Sequence, residues 1–477
     1  MEIITGAPAL KFWWLSVLSL LVWPCLVQSS DSLLQQCITS FDPNTNYYQK
    51  MIPADVLDQN FVLPLPIELQ EVVTAKGFAV SYGNYYKIIR NQNYNLTYLL
   101  HQCGSPVPSL TSLGLPPANG TFQLPVRGPA TDSTIPVAFL ELLGRLENLT
   151  LTETAADFIG SSCVLKYMAD GEIKTVSNTA GNTTEVIFTS ASGQPTYEAN
   201  AVSFDATFDG GPLKRAEWIK YMATFFNAED RAHEVFSYVN ASYQCLNMSR
   251  SGSTGTNPLV AWLSFSGVSW TISGAAYKMQ FDLDAGGLNL NADVLDKIFN
   301  MSNQDEVDEF HQILRTIDAV VDETYAPDPF SYTLDNFTAN ARIDTPLVDY
   351  PFLTSKRVIR VDKRVGRGLD WFEMAIPQPH VVLHDLINML YPSQAYSSTY
   401  LRNIALGEIP VNVTLEPCTR PIAEALEPKI ISDPNVVKCV KAAGNLGKNG
   451  ATLLSPAPLA VMLAGATFHL AMMAILL

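Results

Sequence analysis

Basic residues are scarce in this chain: 30 lysines and arginines stand against 46 aspartates and glutamates, for a net charge of −16. That balance excludes nucleic acid and anionic membrane surfaces as primary partners, since both demand positive charge. Histidine is rarer still, at six, and no Cys-x-x-Cys or Cys/His spacing reads as a zinc site. His380 and His384 lie four apart on an expected helix and share a face, as metal ligands would, but no third ligand is evident and no Glu follows His380. No Gly-x-Ser-x-Gly elbow, phosphate loop or dinucleotide fingerprint occurs. With no nucleophile–base constellation to pick out, the expectation is a non-enzyme that needs no cofactor. Charged residues at 16% beside 47% apolar ones exclude a mucin-like stalk and indicate a folded protein.

Long apolar runs are confined to the two ends. Lys11 precedes an apolar run from Phe12 to Val27, followed by Gln28, Ser29 and Ser30, which reads as a secretory signal peptide over residues 1–29. At the other end Leu459 to Leu477 is apolar almost throughout, behind a spacer from Thr452 to Pro458 and the small residues Asn449, Gly450 and Ala451. Small residues, spacer and apolar tail form a glycolipid-attachment signal, with Asn449 as the attachment residue and 450–477 as the removed propeptide. A single C-terminal transmembrane helix is the competing reading, and the missing basic stop-transfer flank counts against it. The expected location is the extracellular face of the cell membrane, held by a lipid anchor.

Nine Asn-x-Ser/Thr sequons fit that location, at Asn95, Asn119, Asn148, Asn182, Asn240, Asn247, Asn300, Asn336 and Asn412. Of seven cysteines, Cys25 leaves with the signal peptide. Cys37, Cys103, Cys163, Cys245, Cys418 and Cys439 remain, an even number that favours disulfides. Six cysteines allow fifteen pairings. Sequence proximity suggests Cys418 with Cys439, and Cys37 with Cys103.

Along the mature chain, strand and helix signals alternate. Gly83-Asn84 centres a hairpin in the segment from Gly77 to Arg90. Leu124 to Val126 reads as a strand, Arg127 to Thr134 as a loop, and Pro136 to Leu146 as an apolar helix. Leu213 to Phe226 shows helical spacing. Asn227 then caps a helix running from Ala228 to about Tyr243. Leu259 to Leu263 and Val358 to Val361 read as strands, and His380 to Leu390 as a helix. Strands alternating with helices on either side of one long helix predict two α/β lobes. The expected divisions are 30–227 for the first lobe, 228–246 for the connecting helix, 247–395 for the second lobe and 396–449 for an extension and linker.

Several segments taken in order carry a resemblance. They are Phe41 to Tyr48, Gly77 to Arg90, Pro125-Val-Arg-Gly128, Ala138 to Gly144, Arg215 to Lys220 with Phe225-Phe-Asn227, Asp284-Ala-Gly-Gly287, Arg357 to Val361, Trp371-Phe-Glu373 and Val381 to Leu386. Their order resembles bacterial periplasmic substrate-binding proteins of the cobalamin and ferric-siderophore class. The resemblance implies a class III periplasmic-binding-protein-like fold, two Rossmann-like α/β lobes bridged by a single long helix. It also implies capture of a metal chelate, corrinoid or other tetrapyrrole between the lobes. A transporter or co-receptor partner follows from it too, met in the bacterial proteins through surface glutamates on the two lobes, here Glu141 and Glu373. The glycolipid signal, the sequons and the cysteines depart from the bacterial pattern, and a ligand-less structural or recognition protein of the cell surface is the alternative.

Ligands in open α/β sheets sit beyond the carboxyl ends of strands. That rule selects Arg127 to Thr134, Phe265 to Ser273, and Asp362 to Gly368 followed by Trp371. Within these, Arg127, Arg364 and Arg367 offer fixed donors for an anionic ligand, while Trp270 and Trp371 offer flat apolar walls. Arg127 is expected to face Arg364 or Arg367 across the groove.

Overall fold

The computed structural model describes residues 35–48, 73–177, 184–190, 199–250, 256–344, 347–392 and 396–446. The signal segment, Asn182, Asn449 and the apolar tail lie outside them. Among the described residues no helix is long and apolar enough to cross a membrane.

The chain opens with the expected hairpin. β1 (Phe78–Tyr82) and β2 (Tyr86–Asn91) pair antiparallel around Gly83-Asn84, then β3 (Leu96–Gln102) pairs antiparallel with β2 and β4 (Gly120–Leu124) parallel with β3. A second sheet follows, built from β5 (Pro129–Thr131), β6 (Thr150–Thr152), β7 (Lys174–Val176), β8 (Val186–Thr189) and β9 (Ala201–Ser203). Its order is β7-β6-β5-β8-β9, all parallel. The chain steps outward in one direction from β5 and then in the other, so the sheet reverses between β5 and β8. α1 (Ile135–Leu143) follows β5 with Pro136 in its first turn and ends on Gly144 at φ 65. Residues Pro136 to Leu143 are all buried, Glu141 included, as a helix apolar on every side requires. α2 (Ser162–Ala169) begins on a Ser161 cap.

The long helical region after β9 is broken. α3 (Pro212–Ala216) and α4 (Trp218–Ala223) give way to Asn227, which takes a left-handed conformation at φ 50, one that Asn tolerates better than most residues. α5 (Glu229–Arg250) then runs as one 22-residue helix to the second lobe.

There β10 (Leu259–Ser266) turns into β11 (Ser269–Ile272), and α6 (Ala276–Asp284) leads to β12 (Leu288–Asn289). After β13 (Ile298–Asn300) and α7 (Gln304–Leu314) come β14 (Ala319–Asp322), α8 (Leu334–Asn340) and β15 (Val358–Arg360). β12, β10, β14 and β15 are parallel, β11 lies antiparallel beside β10, and β13 lies antiparallel beside β11. This sheet also reverses direction, between β10 and β14. α9 (Pro379–Leu390) closes the lobe.

One continuous apolar core runs from the first lobe through Val235 and Val239 of α5 to Trp262, Val321 and Val382 of the second. A separate core around Trp270, Phe310 and Phe337 fills the far face of the second sheet. The segment after α9 is a strap rather than a free tail. Leu426 N–H donates to the Glu141 carbonyl at 2.9 Å, Lys429 N–H to Gln378 Oε1 at 2.6 Å, and α10 (Pro434–Leu446) lies along α5.

Disulfides fix that strap. Cys37 joins Cys103, Cys163 joins Cys418, and Cys245 joins Cys439. The expected Cys418–Cys439 pair is therefore wrong. The chain between those residues runs across the protein surface from α2 to α5, so proximity in sequence does not bring them together.

Candidate ligand cleft between the lobes

The carboxyl ends of β5 and β8 open onto a cavity of about 410 Å³, at the reversal of the first sheet where open α/β folds bind ligands. Ser133 and Thr134 follow β5, and Ser190 follows β8, so the first lobe supplies small hydroxyls there. The second lobe supplies Tyr277 and Phe281 from α6, Trp371 and Phe372 from the loop after β15, and Val382 from α9. Trp371 is buried against Trp262 with ring centroids 6.0 Å apart, and the Trp262 indole N–H donates to Asp282 at 2.9 Å. Phe372 is 54% exposed and stands free at the rim.

The cation of this cleft is Arg215, on α3. Its Nε donates to the Asp209 carbonyl at 2.9 Å and its Nη2 to the Thr207 carbonyl at 2.6 Å. The guanidinium lies 3.5 Å over the Tyr277 ring of the other lobe, a cation–π contact that bridges the lobes. Apolar rings on one side, hydroxyls on the other and one oriented cation suit a compact ring-bearing ligand with an acidic or carbonyl edge. Among the described residues no three His, Cys, Asp or Glu side chains are placed to hold a metal ion.

Of the residues expected at a groove, Trp371 lines this cavity. The others lie elsewhere. Arg127 lies in the link between β4, which ends at Leu124 in the first sheet, and β5, which begins at Pro129 in the second, so it precedes the strand that opens on the cleft. It stands exposed at the amino edge of the sheet, beside Glu185 and the Cys37–Cys103 disulfide. Trp270 sits on β11 in the second core, fully buried, stacked on Phe310 at 5.9 Å, its indole N–H on the Asn340 carbonyl. Arg364 is spent on Asp370, Nε to Oδ2 at 2.7 Å, while Arg367 is exposed and holds the seam through its backbone. Arg127 therefore faces neither of them.

That seam joins the lobes tightly. Arg367 and Gly368 N–H both donate to the Ile159 carbonyl, at 3.0 and 3.3 Å. A Cβ at Gly368 would come within 2.3 Å of the Phe158 carbonyl oxygen, so only glycine permits this approach. Glu373 and Glu141, expected on the lobe surfaces, are both buried at the seam. Glu373 Oε2 accepts from Gly160 N–H at 2.5 Å, and Glu141 pairs with Arg420 of the strap. Neither is available to a transporter.

His380 shares a hydrogen bond between Nε2 and the Lys429 carbonyl at 2.9 Å, and burial lowers it to about 4, which leaves it neutral. Six sequon asparagines are exposed: Asn95, Asn119, Asn148, Asn300, Asn336 and Asn412. Asn240 and Asn247 on α5 are half-buried, and the Asn247 amide nitrogen donates to Asp284 at 3.0 Å.

No family model matches this chain, and no curated protein matches it. Solved structures do. A substrate-binding protein of an ABC transporter from Listeria monocytogenes is 11% identical, over 56% of this chain and 100% of its own, with a TM-score of 0.40. A periplasmic binding protein from Veillonella parvula is 10% identical over 57% and 93%, with a TM-score of 0.42. A protein of an Fe3+-hydroxamate transport system from Saccharomonospora viridis is 13% identical over 56% and 94%, with a TM-score of 0.38. At such identities and scores the architecture rests on the strand order itself.

Proposed function

We propose that this is a non-catalytic binding protein of the cell surface, tethered by a lipid anchor, that holds a small ligand in the cleft between its lobes. The observation that carries the reading is the cavity at the β5/β8 reversal, walled by aromatic rings of one lobe and capped by a guanidinium of the other. Its volume equals roughly fourteen waters at ~30 Å³ each. A compact metal chelate would be enclosed whole, whereas a tetrapyrrole or corrinoid would enter only by one edge.

Titration of the mature protein with compact ferric chelates, haem and cobalamin, followed by tryptophan fluorescence, tests this. We expect saturable quenching by one of them. Arg215→Ala should weaken that ligand by about 1.5–3 kcal/mol, the scale of a lost charge-assisted hydrogen bond. Arg127→Ala and Arg367→Ala should leave binding unchanged. If none of these probes binds at high micromolar concentration, the chelate reading fails.

A second reading has its own observation. Arg215 is already satisfied by two carbonyls and a ring, and the glycine seam holds the lobes together. On that reading the protein is a rigid recognition module, and it would bind a partner ectodomain with no small molecule added.

A further inference from the structure

The second lobe has a reversal point of its own, and a separate, open cavity of about 610 Å³ lies at it. Its walls come from the carboxyl ends of β10 and β14, the strands between which the sheet changes direction. We propose that this cavity is a second ligand site, independent of the interlobe cleft, for a neutral polyhydroxylated molecule: a saccharide of one or two rings.

The lining sets the chemistry. Phe265, Tyr325 and Tyr332 present aromatic faces, and Tyr325 is 77% exposed at the mouth. Between them stand the carboxylate of Asp328 and the amides of Asn336 and Asn340. Aromatic faces suit the C–H faces of a pyranose, while amides and a carboxylate suit its hydroxyl edges, each of which both donates and accepts. At the floor the Tyr332 hydroxyl is buried beside Asp322 and Thr324. Burial, with the nearby Asp322 carboxylate, pushes this phenol up, so it stays protonated and able to donate.

Charge narrows the class further. The lining residues include no lysine or arginine. Two guanidinium groups lie behind the lining and both are consumed: Arg360, beneath the Tyr332 ring at 3.8 Å, by Asp322 and Asp362, and Arg402 by Asp362 and the Pro329 and Tyr332 carbonyls. An anionic ligand would meet Asp328 with nothing to balance it. The volume, roughly twenty waters at ~30 Å³ each, accommodates one or two sugar rings.

Asn336 is a sequon residue on this rim, so an attached glycan would crowd the site. The test therefore uses the full chain carrying Thr338→Ala, which removes the sequon and leaves Asn336 and its helix cap in place. Saturation-transfer NMR and calorimetric titration with cellobiose, maltose, lactose and N,N′-diacetylchitobiose should find at least one that binds in the low-millimolar range or tighter. Tyr325→Ala and Asn340→Ala should each weaken it at least tenfold with the thermal midpoint unchanged, and Phe372→Ala at the exposed rim of the interlobe cleft should not affect it. The proposal is overturned if none of the four saccharides binds, or if binding survives both cavity substitutions. A saccharide whose binding is lost in Phe372→Ala alone would belong to the interlobe cleft, which also overturns it.

Discussion

Acidifying the solution from about pH 7.5 toward about pH 6 should stabilise this protein. The cause is the group of carboxyls at the seam between the lobes. Burial pushes Glu141 up to about 7, with Arg420 opposing and Asp370 adding to the rise. Burial raises Glu373 well above the usual range, helped by Asp370 and opposed by Gly160 N–H, and it raises Asp370 against the pull of Arg364. Tyr167, Tyr400 and Lys429 complete the titratable surroundings. A carboxyl whose folded value lies above its unfolded one binds its proton more tightly when folded. Its contribution is therefore full below the unfolded value and fades as pH rises through the folded one. For Glu141 the window runs from about 4.5 to about 7 and is worth on the order of 3 kcal/mol. His380, lowered to about 4 by burial, works in the opposite sense and erodes stability as pH falls below about 6.5. Glu373→Gln, a neutral mimic of the protonated acid, should raise the thermal midpoint at about pH 7.5 and change it little at about pH 5. A Gln variant equally destabilised at both values would show that the carboxylate form is the native one.

Removing the Cys163–Cys418 disulfide should cost about 2–5 kcal/mol. The bridge spans 255 residues, the largest separation of the three, so it removes more freedom from the unfolded chain than the other two. It also holds the strap over the seam beside Arg420, so its loss loosens the partner of Glu141. Equilibrium denaturation of Cys163→Ser/Cys418→Ser, compared with Cys37→Ser/Cys103→Ser, gives the measurement. A double variant within about 0.5 kcal/mol of the parent would mean that the strap is held by its other contacts alone.

How far the sequence announces this structure depends on the range of the interaction involved. Gly83-Asn84 marks its hairpin and Asn227 marks the break before α5, because both signals act within a few residues. The two-lobe alternation is legible for the same reason. Strand order is not, and the site depends on strand order. Trp270 and Trp371 look alike as tryptophans near strand ends, yet one packs behind its sheet and the other lines the cleft. Arg215 is invisible as a site residue because its role comes from α3 meeting α6 of the other lobe. Arg127 does follow a strand, but β4 belongs to a sheet other than the one that opens on the cleft, which local pattern cannot show. Cys418 and Cys439 are neighbours along the chain but belong to opposite ends of a strap, and nothing local distinguishes those cases.

The strap and the shared core have a consequence for how the molecule melts. Two lobes of this kind, joined only by α5, could each absorb heat at a separate temperature. Here side chains of both lobes and of α10 belong to one continuous core, and two disulfides tie the closing segment to α2 and α5. Neither lobe can open without exposing the other's interior. Unfolding should then be a single cooperative event, with one calorimetric peak whose measured enthalpy equals its van't Hoff value.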